Sequence, residues 1–169
     1  MSTVASPSFE TTHLVRDTCL CLHLQRAARA LARRFDDALR PLGLTNGQFS
    51  LMMSLNRPEP PGMAAVASLL AMDRTTLTAA LKPLQRRALV KITVASADRR
   101  ARVMTLTPKG RKLLAQAVPI WESTHLAVEG LLPDRDPNRF RNNLRALSAT
   151  NNSLHHIPPG VIEAGSFKY

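Results

Sequence analysis

The stretch from Asp73 to Leu106 constrains the fold most, because it predicts an amphipathic helix followed directly by a β-hairpin. Asp73 is a good N-cap, and residues 74–87 carry leucines on one face and threonines and basic side chains on the other. The β-branched run 89–94 and the run 102–106 flank a polar, basic stretch, which predicts two strands with a cationic tip. With the short helix and tight turn before it, this arrangement is typical of a winged helix-turn-helix.

Helical patterns on both sides of this unit indicate that the fold is mainly α-helical. Near the N-terminus, apolar residues repeat at steps of three and four, which predicts one long amphipathic helix ended by Pro41 and Gly43. After the hairpin, Thr107-Pro108 supplies an N-cap followed by proline at the first helical position. The expected helices cover about residues 13–40, 46–55, 63–70, 74–87, 108–132 and 137–149.

The chain is strongly basic, with a net charge of +11 and an isoelectric point near 11.2, so a polyanion is the first partner to consider. Charge alone does not choose between DNA, RNA and anionic lipid. Aromatic residues make up 4% of the chain and do not recur along a basic strand, which argues against single-strand binding and favours duplex DNA. No apolar run is long enough to span a bilayer and no signal-peptide pattern opens the chain, so we expect a cytoplasmic protein without membrane contact.

The helix of residues 74–87 and the hairpin after it are suited to the two grooves of DNA. A helix fits the major groove, and an arginine-bearing loop can enter the narrow minor groove. Threonine runs often serve only for capping and basic hairpins are often plain solvated loops, but their order and spacing together favour DNA contact. The candidate contacts are Arg74, Thr75, Thr76, Thr78, Lys82, Arg86, Arg99, Arg100 and Arg102.

The helices at both ends carry more apolar surface than a small winged-helix core can cover. A second copy of the chain is the economical partner for that surface, which predicts a homodimer on a pseudo-palindromic operator. We therefore expect a mainly α fold: a winged helix-turn-helix with a small β-hairpin wing and an α-helical dimerisation region from both termini. The expected division is a flexible leader at 1–9, a dimerisation helix at 10–44, the DNA-binding domain at 45–107, C-terminal dimerisation helices at 108–150 and a tail at 151–169.

Five motifs occur in a definite order along the chain. They read Leu42-Gly43-Leu44-Thr45 followed by Gln48-Phe49, Asp73-Arg74-Thr75-Thr76-Leu77-Thr78, Arg87-Ala88-Leu89-Val90, Asp98-Arg99-Arg100-Ala101-Arg102 and Leu106-Thr107-Pro108-Lys109-Gly110-Arg111. In this order they resemble the multiple antibiotic resistance regulator (MarR) family, over about residues 13–150. The resemblance implies an interlocked dimer with its fourth helix in the major groove, and Asp98 steadying a neighbouring wing arginine. The family often has Arg where this chain has Ala79 and Gly where it has Ala88.

The two cysteines, Cys19 and Cys21, are expected to be free thiols, because two positions apart on one helix they point to opposite sides. Cys21 shares the apolar helix face and is expected to be packed, whereas Cys19 lies on the arginine-bearing side, where the guanidinium groups favour its thiolate if that face is partly exposed; both are redox-sensing candidates. The placement of Cys21 is similar to that of the peroxide-sensing cysteine in the organic hydroperoxide regulator (OhrR) branch, where oxidation to sulfenic acid releases DNA. In that branch, tyrosines assist the thiolate by hydrogen bonding. This chain has Gln25 and Phe35 at their positions, which implies that the activating hydrogen bonds are missing. The competing interpretation is a small apolar residue in a dimer core.

The other mode of control that the resemblance implies is a repressor released by a small aromatic or phenolic effector, such as a phenolic acid. Such a ligand would bind between the dimerisation helices and the DNA-binding lobe and shift the population away from the DNA-competent state. The candidate pocket residues are Arg16, His23 and Trp121. The expected function is thus a sequence-specific regulator of transcription, with peroxide sensing through Cys21 as the alternative.

Two other classes of protein compete with a DNA-binding regulator. An enzyme is disfavoured because no Ser/His/Asp order, Gly-rich phosphate loop or metal-ligand spacing occurs, so no cofactor or metal is expected. A cysteine peroxidase would require turnover of peroxide with a thiol reductant. A winged helix that only docks proteins predicts a neutral or acidic recognition helix, contrary to Lys82, Arg86 and Arg87.

Overall fold

The computed structural model describes residues 6–94 and 102–149 and confirms the mainly helical winged-helix fold. The predicted wing residues Asp98, Arg99 and Arg100 and the tail at 151–169 lie outside the described residues. The elements in chain order are α1 (Phe9–Thr18), α2 (Leu20–Leu39), a 3₁₀ turn (Arg40–Leu42), α3 (Asn46–Ser54), α4 (Met63–Leu69), α5 (Arg74–Arg86), β1 (Val90–Val94), β2 (Arg102–Leu106), α6 (Pro108–Glu129) and α7 (Pro137–Ala149).

The first expected helix is two helices, so the prediction of a single helix from about residue 13 to 40 is wrong. Cys19 has extended backbone angles (φ −70°, ψ 104°), ending α1 and beginning α2. At this break the Thr18 hydroxyl donates to the Leu14 carbonyl at 2.7 Å, and a ring nitrogen of His23 lies 3.1 Å from the Asp17 carbonyl oxygen. The His23 ring thus lies beside the Asp17 carbonyl, which an unbroken helix would pair with a backbone N–H, whereas the Thr18 hydroxyl bonds to a carbonyl inside α1.

The core of the winged unit forms where α2, α3, α5, the hairpin and α6 meet. β1 and β2 pair antiparallel from Val90 opposite Leu106 to Val94 opposite Arg102. Gly62, just before α4, forms a bridge to Val103, which ties the start of α4 to the hairpin. The largest fully buried side chains are Leu39, Leu51, Met52, Val66, Leu77, Leu81, Leu84, Leu89 and Met104. Three of them, Leu77, Leu81 and Leu84, form the buried face by which α5 packs against the rest of this core.

The turn from α2 to α3 is fixed by local hydrogen bonds. Gly43 adopts the left-handed conformation (φ 63°) that ends the 3₁₀ turn. Thr45 and Gln48 then form a reciprocal capping box at the start of α3. The Asp36 carboxylate on α2 accepts from the Asn46 backbone N–H at 2.6 Å. The direction of α3 relative to the end of α2 is therefore defined by several contacts.

The chain divides into two compact units, residues 1–126 and 127–169. Within the second unit, the Arg141 guanidinium pairs with the Glu129 carboxylate, and Arg139 pairs with Asp134. α7 leaves Phe140 and Leu147 exposed. In the part of the chain that the structure describes, no helix combines the length and apolar character needed to cross a membrane.

Candidate nucleic-acid interface

The start of α5 is fixed by Asp73, which accepts two hydrogen bonds from one residue. Thr76 donates its backbone N–H to one carboxylate oxygen at 2.8 Å and its hydroxyl to the other at 2.6 Å. The side-chain hydrogen bond from Thr76, followed by the backbone one, lowers the pKa of Asp73 below its ordinary value. The helix therefore begins with a charged cap at the end where an anion stabilises the helix dipole.

The two faces of α5 differ as the sequence predicts. Leu77, Leu81 and Leu84 are completely or almost completely buried. The six predicted DNA contacts on this helix are all exposed: Arg74, Thr75, Thr76, Thr78, Lys82 and Arg86. Their contacts with DNA stay a prediction, but none of them is needed to fill the core.

The three threonines of α5 differ in whether their hydroxyl proton is already used in a hydrogen bond within the protein. The Thr78 hydroxyl donates to the Arg74 carbonyl at 2.7 Å, and the Thr76 hydroxyl donates to Asp73. Both can still accept hydrogen bonds, but their protons are used within the helix. Among the described residues, the Thr75 hydroxyl has no hydrogen-bond partner. Thr75 is thus the threonine able to donate to a base or a phosphate.

Pro83 lies inside α5, a feature that the sequence analysis did not use. Proline has no N–H, so the Ala79 carbonyl lacks its usual partner one turn later. Ala79 and Pro83 line a shallow depression of about 580 Å³ together with Lys82, Gln85 and Arg86. The exposed face of α5 therefore has a small apolar centre between two cations.

The end of α5 is held by Arg87, one of the basic residues that make this helix cationic in the sequence. Its guanidinium donates to the carbonyls of Gly43 and Leu42, the latter at 3.2 Å, and its own carbonyl accepts from Lys109 at 3.0 Å. Arg87 is half-buried. Its charge therefore serves the attachment of α5 to the α2–α3 turn and to α6.

The base of the wing is attached closely to the first turn of α6. The Arg111 guanidinium donates to the Leu106 carbonyl at 2.8 Å, and the Thr107 hydroxyl accepts from the Gly110 N–H at 3.0 Å. Arg102 opens β2 opposite Val94 and is exposed. These hydrogen bonds fix the end of β2, and with it the base of the wing, against the first turn of α6.

Comparison with known proteins adds a relative and several solved structures, although no family model matches. The transcriptional regulator HosA of Escherichia coli is 32% identical over 109 residues, which are 63% of this chain and 79% of HosA. The structure of a MarR-family regulator from Rhodococcus sp. RHA1 shares the fold at 21% identity (TM-score 0.67, covering 85% of this chain and 97% of that one). The chain belongs to the MarR family of DNA-binding transcriptional regulators.

Two further solved structures are similar to this MarR-family chain. The M. tuberculosis regulator MosR in complex with DNA is 36% identical, with a TM-score of 0.70, over 76% of this chain and 92% of MosR. BpsR of Bordetella bronchiseptica, whose DNA binding is regulated by 6-hydroxynicotinic acid, is 25% identical, with a TM-score of 0.71, over 86% of this chain and 99% of BpsR. These named proteins are regulators, which agrees with the expectation that this chain is not an enzyme.

A pocket of about 540 Å³ opens between α3, the end of α4 and α6 in this MarR-family regulator. Of the three predicted effector residues, Trp121 lines it. Arg16 and His23 lie instead at the break between α1 and α2. There the Arg16 guanidinium donates to the Asp17 carboxylate at 2.6 Å, and this hydrogen bond lowers the pKa of Asp17.

The burial of the two cysteines differs from the expectation that Cys21 is packed. Cys19 is half-buried at the helix break and Cys21 is exposed, as are most of the described residues in the first half of α2. The side-chain amide of Gln25 lies 3.3 Å from the Cys21 sulfur and donates to it. This hydrogen bond comes from one of the two positions at which the resemblance implied that the tyrosine hydrogen bonds are missing.

Proposed function

We propose that this regulator binds a two-fold symmetric duplex operator as a homodimer, represses transcription there, and is released by a small molecule. The observation that carries the proposal is α5, whose leucine face is buried while its threonine and basic face is exposed beside the wing. A buried face fixes the helix, and a free cationic face is what the major groove accommodates.

The proposed DNA contacts divide into two kinds. Thr75 has a hydroxyl free to donate to a base edge, whereas we assign the exposed cations Lys82 and Arg86 to phosphates. Arg74, Thr76 and Thr78 complete the helix face, with Thr76 and Thr78 acting as acceptors. On the wing we assign Arg102 and, from the sequence, Asp98, Arg99 and Arg100.

Exposed apolar side chains support the proposed homodimer. Large ones lie on α1 and the start of α2, where Phe9 is 75% exposed and Leu20 is 67% exposed. The second unit separately exposes Leu131, Phe140 and Leu147. Apolar patches of this kind mark association surfaces, and a second copy would supply the matching surface. We therefore assign dimerisation to residues 10–44 and 108–150.

Release by a small molecule is supported by the pocket beside Trp121, which lies between α3 and α4 of the DNA-binding domain and α6 of the proposed dimerisation region. Its volume of about 540 Å³ is in the range that holds drug-sized ligands. Because α4, the helix before α5, contributes to its wall, a ligand there would act on the spacing or angle of α5 and shift the population of DNA-competent dimers.

Thiol sensing through Cys21 is a second candidate function, favoured by the exposure of its sulfur and the hydrogen bond from Gln25. The Cys21 thiolate would attack an organic peroxide, breaking the O–O bond. The sulfur is oxidised to sulfenic acid, and the peroxide is reduced, leaving as an alkoxide that takes up a proton to give the alcohol. Cys21→Ser would then stay on the operator in peroxide, with Cys19→Ser as the matched control. Release of Cys21→Ser equal to that of the unaltered protein would remove Cys21 from the mechanism.

The proposed function is tested by selecting bound duplexes from a random pool with the purified full-length protein. We expect an inverted repeat whose half-sites lie about one helical turn apart, about 10 base pairs between centres. Enrichment of a single unrepeated motif would contradict the symmetric dimer. No enrichment over a non-binding pool would contradict sequence-specific binding.

A further inference from the structure

The pocket beside Trp121 has a strongly apolar wall. Six of its lining side chains are apolar or aromatic: Phe49, Met53, Leu69, Leu70, Val118 and Trp121. Met53 and Leu69 remain 40% and 61% exposed, although both are large apolar residues. An apolar ligand seated here would remove part of this surface from water, which favours binding.

Ring stacking holds the aromatic part of the wall in place. The Trp121 ring lies nearly parallel to that of Phe49, with centroids 6.0 Å apart, and nearly parallel to that of His125 at 4.7 Å. Phe49 is itself almost fully buried in the core. Because these rings are already fixed, little side-chain ordering opposes ligand binding.

The polar groups of the pocket are few, and one of them carries a charge. The Ser54 hydroxyl donates to the Leu51 carbonyl at 2.7 Å, so its proton is not free for a ligand. Glu122 is the charged residue among the lining residues, and no lysine or arginine lines the pocket with it. Within the described part of the chain, the Glu122 carboxylate has neither an ion pair nor a hydrogen bond.

We propose that this pocket selects lipophilic organic cations, such as protonated arylalkyl amines, and that Glu122 is the residue that determines this preference. The aromatic wall takes the apolar body of the ligand and the carboxylate takes its ammonium group. A carboxylic acid in the same place would bring two negative charges together beside an apolar wall. The inference rests on the proposed ligand-released regulator, but it replaces the phenolic acid that the family resemblance implies with a ligand of opposite charge.

Trp121 is the single tryptophan of the chain, so its fluorescence reports on this pocket alone. The probes are 4-phenylbutylamine, 4-phenylbutan-1-ol and 4-phenylbutyrate, which match in size and differ in charge. At low salt we expect the amine to bind about fivefold tighter than the alcohol, the scale of a partly exposed ion pair, and the acid to bind weakest. Equal affinities for the three probes, or the reverse order, would overturn the proposal. The absence of any fluorescence change would overturn it as well, and is the result expected if a second copy of the chain covers the pocket.

The residue assignment is tested with Glu122→Gln, which keeps the size of the side chain and removes its charge. Because Glu122 is exposed, the variant is expected to fold. It should bind the amine and the alcohol equally, while Glu59→Gln, which removes an exposed charge elsewhere, should keep the preference for the amine. An amine preference that persists in Glu122→Gln overturns the role of Glu122.

A parallel measurement of duplex anisotropy separates this inference from the proposed function. Amine binding that leaves the duplex bound would refute release by a ligand of this pocket and leave the charge preference standing. Release of the duplex by 4-phenylbutyrate but not by the amine would support a ligand-released regulator and overturn the selection of cations.

Discussion

Gly110 on α6 faces the carbonyl of Leu89 so closely that a β-carbon at position 110 would lie 2.1 Å from the carbonyl oxygen. Real side chains do not approach backbone oxygen to this distance, so α6 would have to move away from the hairpin. We expect Gly110→Ala to lower the free energy of unfolding by about 1–3 kcal/mol, as overpacking does. Urea denaturation of this variant beside Gly47→Ala, where nothing would contact the new β-carbon, checks this. Equal stabilities would contradict it.

Ala88 occupies the left-handed region with φ 55°, where glycine suffers no steric penalty. We expect Ala88→Gly to raise the free energy of unfolding by up to about 1 kcal/mol, because the strain of alanine at positive φ is removed. Ala79→Gly, inside α5, should have the opposite sign and a similar size. Thermal or urea unfolding of the two variants is the measurement, and a destabilised Ala88→Gly would show that the methyl group contributes contacts larger than the strain.

The cap at Asp73 predicts a specific dependence of stability on pH. Hydrogen bonds from Thr76 lower the pKa of this carboxyl below the ordinary 3.8 in the folded state. Its contribution is therefore present above the unfolded pKa and is lost as the pH falls through the folded one. We expect Asp73→Asn, which keeps a capping oxygen without titrating, to lose less stability than the unaltered protein on acidification. The measurement is the free energy of unfolding as a function of pH below about 5. The same slope for both proteins would be inconsistent with this cap.

The sequence was sufficient for the elements whose ends have local chemical causes. α3, α5 and α7 begin where expected, since Thr45, Asp73 and a proline at position 137 are signals within a few residues. The break at Cys19 was not predicted because no proline or glycine marks it. The contact found there, between a ring nitrogen of His23 and the Asp17 carbonyl, has no signature in the sequence.

The parts of the site that the sequence did not predict depend on distant segments. Arg87 resembles a surface cation in the sequence, and its role follows from the turn at Leu42 and Gly43, far away in the chain. Glu122 attracts no attention in the sequence either, because its significance comes from the wall that α3 and α4 place beside it. Tertiary proximity of this kind has no signature in one sequence without its structure.

The threonines of α5 should differ in their effect on DNA affinity. Thr75→Val removes a hydroxyl that is free to donate, and we expect it to weaken duplex binding by about tenfold, the scale of a lost base contact. Thr78→Val removes a hydroxyl whose proton already serves the Arg74 carbonyl, so it should change affinity much less. Fluorescence anisotropy on the selected duplex measures both. A larger loss in Thr78→Val would reverse the assignment.

The central claim, that the exposed basic face of α5 binds duplex DNA, is tested most directly by the salt dependence of affinity. Each phosphate contact contributes about 0.9 to the slope of log K against log salt concentration, so the double variant Lys82→Ala/Arg86→Ala should flatten that slope by about 2. Lys112→Ala, which removes an exposed cation from α6, is the control and should leave the slope unchanged. A double variant with the slope of the unaltered protein would contradict the account.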